Sequence, residues 1–145
     1  HAGRDGCRTP MPWTHNIPNA GFSTNYKTWL PLAEAHVPMS VDLQESDETS
    51  VLNAYKNMIA WRKENEIIKY GDFHLLDTEG DIIAYKRMYD GQEILCVLNA
   101  GIETAEYKLT EASEFNFLEN MSYHVEYESD RLVLQPFGYA ILQTA

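Results

Sequence analysis

The sequence predicts an α+β chain: irregular loops, then one long amphipathic helix, then an antiparallel β domain. Three observations carry this. Prolines at 10, 12, 18, 31 and 38 interrupt any long regular element in residues 1–45. Apolar side chains fall at helical spacing over residues 47–65. From Tyr70 onward they alternate with polar ones at a period of 2.

Residues 1–45 are rich in Pro, Gly, Asn and aromatics. Loops longer than about 12–15 residues with no structure of their own are uncommon in a compact domain. The stretch therefore reads as long loops and one or two short elements packed on a surface that this chain does not supply. The helix is explicit: Val51, Leu52, Tyr55, Met58, Ile59 and Arg62 form one stripe, widened by Ala54 and Trp61. Tyr55, Met58 and Trp61 are expected in a core. Ser46 or Asp47 is the expected N-cap, with Glu45, Asp47 and Glu48 at the positive end of the helix dipole and Arg62 and Lys63 at the negative end.

The β region begins near Phe73 and Leu75, and Glu79-Gly80 can turn it into the next strand. Asp90-Gly91 then separates Ile82–Tyr89 from Gln92–Asn99. Asp-Gly between β-formers is a strong hairpin signal, because both turn positions need a positive φ. A two-residue loop predicts Tyr89 opposite Gln92, Arg87 opposite Ile94 and Tyr85 opposite Cys96. Further strands are expected at Thr104–Leu109, Phe115–Leu118, Tyr123–Glu128, Arg131–Leu134 and Tyr139–Gln143, with a tight turn at Ser129-Asp130. About eight short strands at this spacing suit an antiparallel sandwich or barrel.

Composition narrows the function classes. At 145 residues the chain is one domain's worth and too short for a whole (β/α)₈ barrel, which takes roughly 250 residues. Eleven Lys and Arg against 22 Asp and Glu give a net charge of −11, which argues against nucleic acid or an anionic membrane as the main partner. No apolar run approaches the roughly 20 residues of a membrane span. The start, His1-Ala2-Gly3-Arg4-Asp5, lacks an initiator Met and any signal-peptide pattern, and reads as a cut end. Two cysteines, Cys7 and Cys96, read as reduced thiols of a cytoplasmic protein, not bridged to each other. The five histidines stand singly, without zinc-ligand spacing. The acidic run from Asp42 to Glu48 reads as a solvated loop and helix start, and it lacks the Gly turn and regular offsets of a calcium loop. Neither metal nor cofactor is expected.

One segment carries a resemblance. Arg4-Asp5-Gly6-Cys7-Arg8-Thr9-Pro10-Met11-Pro12-Trp13 resembles the R-D-x-x-R-T-P-M-Q-W segment of α-glucosidases in the α-amylase superfamily, glycoside hydrolase family 13. Asn19-Ala20-Gly21-Phe22-Ser23 and Trp29-Leu30-Pro31 are similar to the A-G-F-[ST] and W-L-P elements of that family. The helix with Leu52, Tyr55, Ile59, Arg62 and Lys63 resembles its last barrel helix, and Leu132–Tyr139 the strand that closes its C-terminal domain. Two residues depart from the pattern: Pro12 stands for the usual Gln and Cys7 for a usual small residue. Proline supplies neither an amide hydrogen nor a polar side chain, so any contact made through that Gln is absent.

The resemblance implies the C-terminal end of a (β/α)₈ barrel over residues 1–66 and a Greek-key-like β-sandwich over residues 67–145. It implies a retaining hydrolase of short α-glucosides acting from the non-reducing end, with transglucosylation compatible with the same chemistry. In that family the Asp nucleophile, the Glu acid and a third Asp lie upstream of the matched segment. This chain alone is therefore assigned no catalytic residue. Its implied partners are the α-glucoside substrate and the missing N-terminal barrel of the same protein. Arg4 is the one implied substrate-binding residue: a fixed, always-charged fork suited to reading the hydroxyls of the terminal glucose. Asp5 is expected to orient Arg4 or Arg8 by an ion pair, and Arg8 to brace the loop. Trp13, Trp29 and Phe22 could stack on sugar, though packing is the commoner use of such residues.

Three other readings share parts of this pattern. A glucoside isomerase or a trehalose-forming enzyme would use the same scaffold. A non-catalytic ectodomain that accompanies amino-acid transporters keeps the C-terminal pattern, but the intact Arg4-Asp5 pair favours catalysis. A free-standing carbohydrate-binding module would need neither the loop segment nor the helix.

Overall fold

The computed structural model describes residues 3–110 and 115–144. The chain divides into two units, His1–Ala60 and Trp61–Ala145. In the first, three short 3₁₀ segments (Asp5–Arg8, Pro18–Gly21, Glu34–Met39) punctuate the loops, and one short helix, α1 (Val41–Ser46), comes after them. The proline spacing allows little else. The second turn is unusual, because Asn19, Ala20 and Gly21 all take positive φ, at 53°, 49° and 72°. Only the glycine does so without cost. The turn lets the Ala20 carbonyl accept the amides of both Trp13 (2.8 Å) and Thr14 (3.1 Å).

Helix α2 (Val51–Glu64) is the expected helix, but it starts later than predicted. Its cap is Ser50, whose Oγ accepts the Asn53 amide at 3.2 Å. Ser46 belongs to α1. Asp47 is occupied in the turn between the helices, where its carboxylate accepts from the Thr49 amide (2.9 Å) and hydroxyl (2.7 Å). The apolar stripe is the second difference. Val51 is 80% exposed and Tyr55 67%, and α2 buries no residue fully, so Tyr55 joins no core within this chain, and Met58 and Trp61 are half-buried. Loop aromatics behave alike: Trp13 and Phe22 are about half exposed and Trp29 is 82% exposed. The packing expected of them is not made among the described residues, because residues 1–45 build no core of their own. Apolar surface left open in this way drives association. Residues 1–145 produced alone are expected to associate and to bind a hydrophobic dye. A soluble monomer with one cooperative melt would contradict this.

Asn65 ends α2 with extended backbone and caps a separate short helix, α3 (Glu66–Tyr70), by accepting the Ile68 amide at 3.2 Å. Gly71 stands where the chain turns into the sheet. A Cβ there would collide with the Ile67 carbonyl and with the Met88 backbone, so no larger residue fits. Seven antiparallel strands complete the second unit: β1 (Asp72–Leu76), β2 (Ile82–Tyr89), β3 (Gln92–Asn99), β4 (Ala105–Lys108), β5 (Phe115–Phe117), β6 (Tyr123–Glu128) and β7 (Arg131–Thr144). The β2–β3 hairpin has the predicted register, with Tyr89 opposite Gln92, Arg87 opposite Ile94 and Tyr85 opposite Cys96. Asp90 and Gly91 turn it with φ of 49° and 76°.

The last two expected strands are one. β7 runs through both: Arg131–Leu134 pairs with β4 and β6, while Tyr139–Thr144 pairs with β3 and β5 and, at Tyr139, with Tyr123 of β6 across a register shift. Among the described residues, no ladder partner faces residues 135–138. The missing amide of Pro136 therefore costs nothing there. Leu132, Leu134, Ala140 and Leu142 of β7 are completely buried and meet Ala84, Leu95 and Val97 in the core. At the end of β3, the buried Asn99 side chain donates to the carbonyls of Glu103 (2.7 Å), Gln135 (3.1 Å) and Leu134 (3.2 Å), and accepts the Gly101 amide (2.9 Å).

Candidate substrate-binding loop

Arg4 stands at the head of the first 3₁₀ turn, its carbonyl accepting the Cys7 amide at 3.1 Å. Arg4, Asp5, Cys7 and Arg8 are all exposed. Among the described residues neither arginine is in an ion pair, and Asp5 pairs with neither. The expected Asp5 pairing and Arg8 bracing are thus not made within this chain. A one-turn helix directs successive side chains outward in different directions, and it leaves each guanidinium fork open.

The stretch just after Arg8 is stiff. Thr9-Pro10-Met11-Pro12 holds two ring-fixed φ angles, and each proline also confines the residue before it to extended backbone. Pro10 is buried. Beyond this spacer, the loop is tied to the start of α1. The Pro12 carbonyl accepts the Val41 amide and the Trp13 carbonyl accepts the Asp42 amide, both at 3.1 Å. The Asp42 carboxylate completes the link. One oxygen takes the His15 ring Nδ1 (2.8 Å) and the His15 amide (3.2 Å). The other takes the hydroxyl of the fully buried Ser40 (2.5 Å) and the Leu43 amide (2.9 Å).

The hydrogen bonds of Ser40, and after it those of His15 and Leu43, hold Asp42 well below the ordinary carboxylate range, at about 2. A lowered folded-state value means that the link is fully present above the ordinary range and is lost as pH falls toward 2. A solvated acidic run, the expectation for Asp42, does not describe this residue. Its histidine partner lies 27 residues away, and no local pattern announces the pairing. Further along the loop, a cavity of about 290 Å³ is lined by Asn19, Tyr26, Lys27, Thr28, Trp29, Pro31 and Leu32.

The two cysteines are free, Cys7 exposed and Cys96 buried. Burial pushes the Cys96 thiol up, against a smaller lowering by its hydrogen bond with Tyr85 across the hairpin. Thiolate is the reactive form. Alkylation of the native protein should therefore modify Cys7 in minutes and Cys96 only after denaturation, read by peptide mass spectrometry. Equal labelling rates, or a cross-linked peptide, would contradict the geometry.

Comparison with known proteins finds two matched regions in the chain. Residues 1–71 match the catalytic domain of α-amylase, and residues 73–141 match the C-terminal domain of maltogenic amylase. The chain belongs to the α-amylase superfamily and carries the end of its barrel with the β domain that comes after it. A probable α-glucosidase of Rhizobium meliloti is 37% identical over 107 residues, which is 74% of this chain and 19% of that protein. An oligo-1,6-glucosidase of Bacillus cereus is 30% identical over 139 residues, 93% of this chain and 25% of that protein. Among solved structures, the α-glucosyl transfer enzyme XgtA superposes with a TM-score of 0.88 at 34% identity, covering 98% of this chain and 26% of its own. The chain thus spans about a fifth to a quarter of these relatives.

Proposed function

We propose that the full-length protein is a retaining α-glucosidase that removes glucose from the non-reducing end of short α-glucosides. The observation that carries this is the Arg4-Asp5 to Pro10-Met11 motif, held in an open loop on a chain whose relatives bear α-glucosidase and oligo-1,6-glucosidase names. Retention needs two carboxylates roughly 5 Å apart, one a nucleophile that forms a glycosyl-enzyme and the other an acid that becomes a base. Both belong to barrel strands that this chain does not include. Arg4 contributes the glycone side: its fork binds the far hydroxyls of the terminal glucose. A glycosyl-enzyme that meets a sugar hydroxyl before water gives transglucosylation, and the likeness to XgtA supports that side reaction.

The same reading divides the chain into a barrel end, residues 1–66, and a β domain, residues 67–145. It places the protein in the cytoplasm, where its two free thiols are stable. The test is turnover of an aryl α-glucoside and of maltose by the full-length protein, with the product anomer followed by NMR. Release of α-glucose first supports the proposal, and β-glucose or no turnover overturns it.

A further inference from the structure

The geometry points to Asp42 as a positioning residue that, with His15, fixes the loop presenting Arg4 to the terminal glucose. This rests on the α-glucosidase reading and adds to it a residue outside the motif. Arg4 sits in a one-turn helix that no side-chain cap secures. Its direction is therefore set by what holds the neighbouring chain. On the C-terminal side that is the stiff Thr9–Pro12 spacer, whose two prolines transmit orientation instead of absorbing it.

The spacer ends where the Asp42 contacts begin. Two backbone bonds, Val41 to Pro12 and Asp42 to Trp13, align the strand-like stretch with the start of α1. Alone they would be a short exposed ladder that frays. The Asp42 carboxylate adds a bond to the His15 amide and one to the His15 ring, so that it grips the loop beyond the ladder. The buried Ser40 hydroxyl and the Leu43 amide hold the carboxylate's other oxygen, which fixes its own rotamer. A side chain held on both oxygens is a rigid post. On the far side of the loop, the Ala20 carbonyl accepts Trp13 and Thr14, so residues 12–15 are pinned from two directions. An error of about 1 Å in such a loop can cost on the order of a hundredfold in rate.

The test is a double-mutant cycle in the full-length protein, with Asp42→Asn, His15→Ala, Arg4→Ala and the two doubles. Asp42→Asn keeps the shape but weakens the bonds from His15 and Ser40, while His15→Ala breaks the link from the other end. Each single variant is expected to lower kcat/KM by about tenfold to a hundredfold for every aglycone alike. In the Arg4→Ala background the same changes should cost less than about twofold, because the fork they position is gone. Equal losses in both backgrounds would make Asp42 a merely structural residue and overturn the proposal, as would near-normal kinetics in either single variant.

Amide exchange supplies a readout besides activity. The His15, Val41 and Asp42 amides should exchange at least about tenfold faster in Asp42→Asn, while the core amides of β3 and β7 are unchanged. Unchanged loop exchange overturns the proposal even where a variant is poorly active or expresses weakly. Absence of turnover by the unaltered protein would defeat the α-glucosidase reading by itself, and loop exchange would still decide whether Asp42 holds the loop.

Discussion

Arg4→Ala in the full-length protein is expected to lower kcat/KM by about one to four powers of ten. A hydrogen bond to a charged group contributes roughly 1.5–3 kcal/mol, and each 1.4 kcal/mol is a factor of ten. Loss of one such bond to a sugar hydroxyl gives the smaller figure, and loss of two strong ones gives the larger. The loss should be the same for aryl glucosides, maltose and isomaltose, since the contact lies on the glucose that all three share. Arg4→Lys should recover little, because a point charge on a flexible stem cannot reproduce a planar fork. Melting temperature should hardly move, as Arg4 is exposed and makes no ion pair among the described residues. Near-normal kinetics for Arg4→Ala would falsify its role as a substrate contact.

Elements governed by local chemistry are legible in the sequence. The β2–β3 register comes from Asp90-Gly91 alone, because the turn type fixes which residues face each other. Ser129-Asp130 likewise turns β6 into β7, with Glu128 opposite Arg131. Legibility fails where distant residues decide. Ser50 takes the cap from Ser46 and Asp47, because the intervening turn consumes Asp47 in bonds to Thr49. The Asn65 break hides α3, since one extended residue in a helical pattern leaves the apolar period intact. In the sequence β7 resembles two strands because Pro136 reads as a break. It is one strand because the proline falls where no ladder partner waits among the described residues.

The candidate site divides in the same way. An ordered motif points to Arg4, and the stiffness of Thr9–Pro12 is written in its prolines. No such signal marks Asp42 or Asn99. Each is a polar residue whose partners lie tens of positions away, His15 for the first and Leu134 and Gln135 for the second. Hydropathy patterning treats both as surface. Hydrogen bonding gives Asp42 its role, burial and hydrogen bonding together give Asn99 its own, and none of this is visible before the chain is folded.

Asn99 is where the largest loss of stability is expected. It is almost completely buried at the end of β3, and one amide group satisfies four backbone atoms. Its Nδ2 holds the Glu103 carbonyl, which closes the loop into β4, and the Leu134 and Gln135 carbonyls, where β7 leaves its first ladder. Its Oδ1 holds the Gly101 amide. Asn99→Ala removes every one of these bonds and leaves the carbonyl of the buried Leu134 and the amide of the buried Gly101 without a partner. Each unsatisfied buried group costs about 1–3 kcal/mol, so a total of about 3 kcal/mol or more is expected. For a cooperative unit of roughly 60–100 residues, each kcal/mol lowers Tm by about 4–8 °C, which puts the drop at about 12 °C or beyond. Asn99→Asp sharpens the test. At neutral pH it sets an ionised carboxylate against three carbonyl oxygens, which raises the acid's folded-state pKa. The group then binds a proton more readily folded than unfolded, so its penalty should shrink as pH falls. Calorimetry of both variants at about pH 7 and pH 5 reads the difference. A Tm within about 3 °C of the parent for Asn99→Ala would mean that water reaches those carbonyls after all. A pH-independent deficit for Asn99→Asp would mean that the new carboxyl has turned away from them.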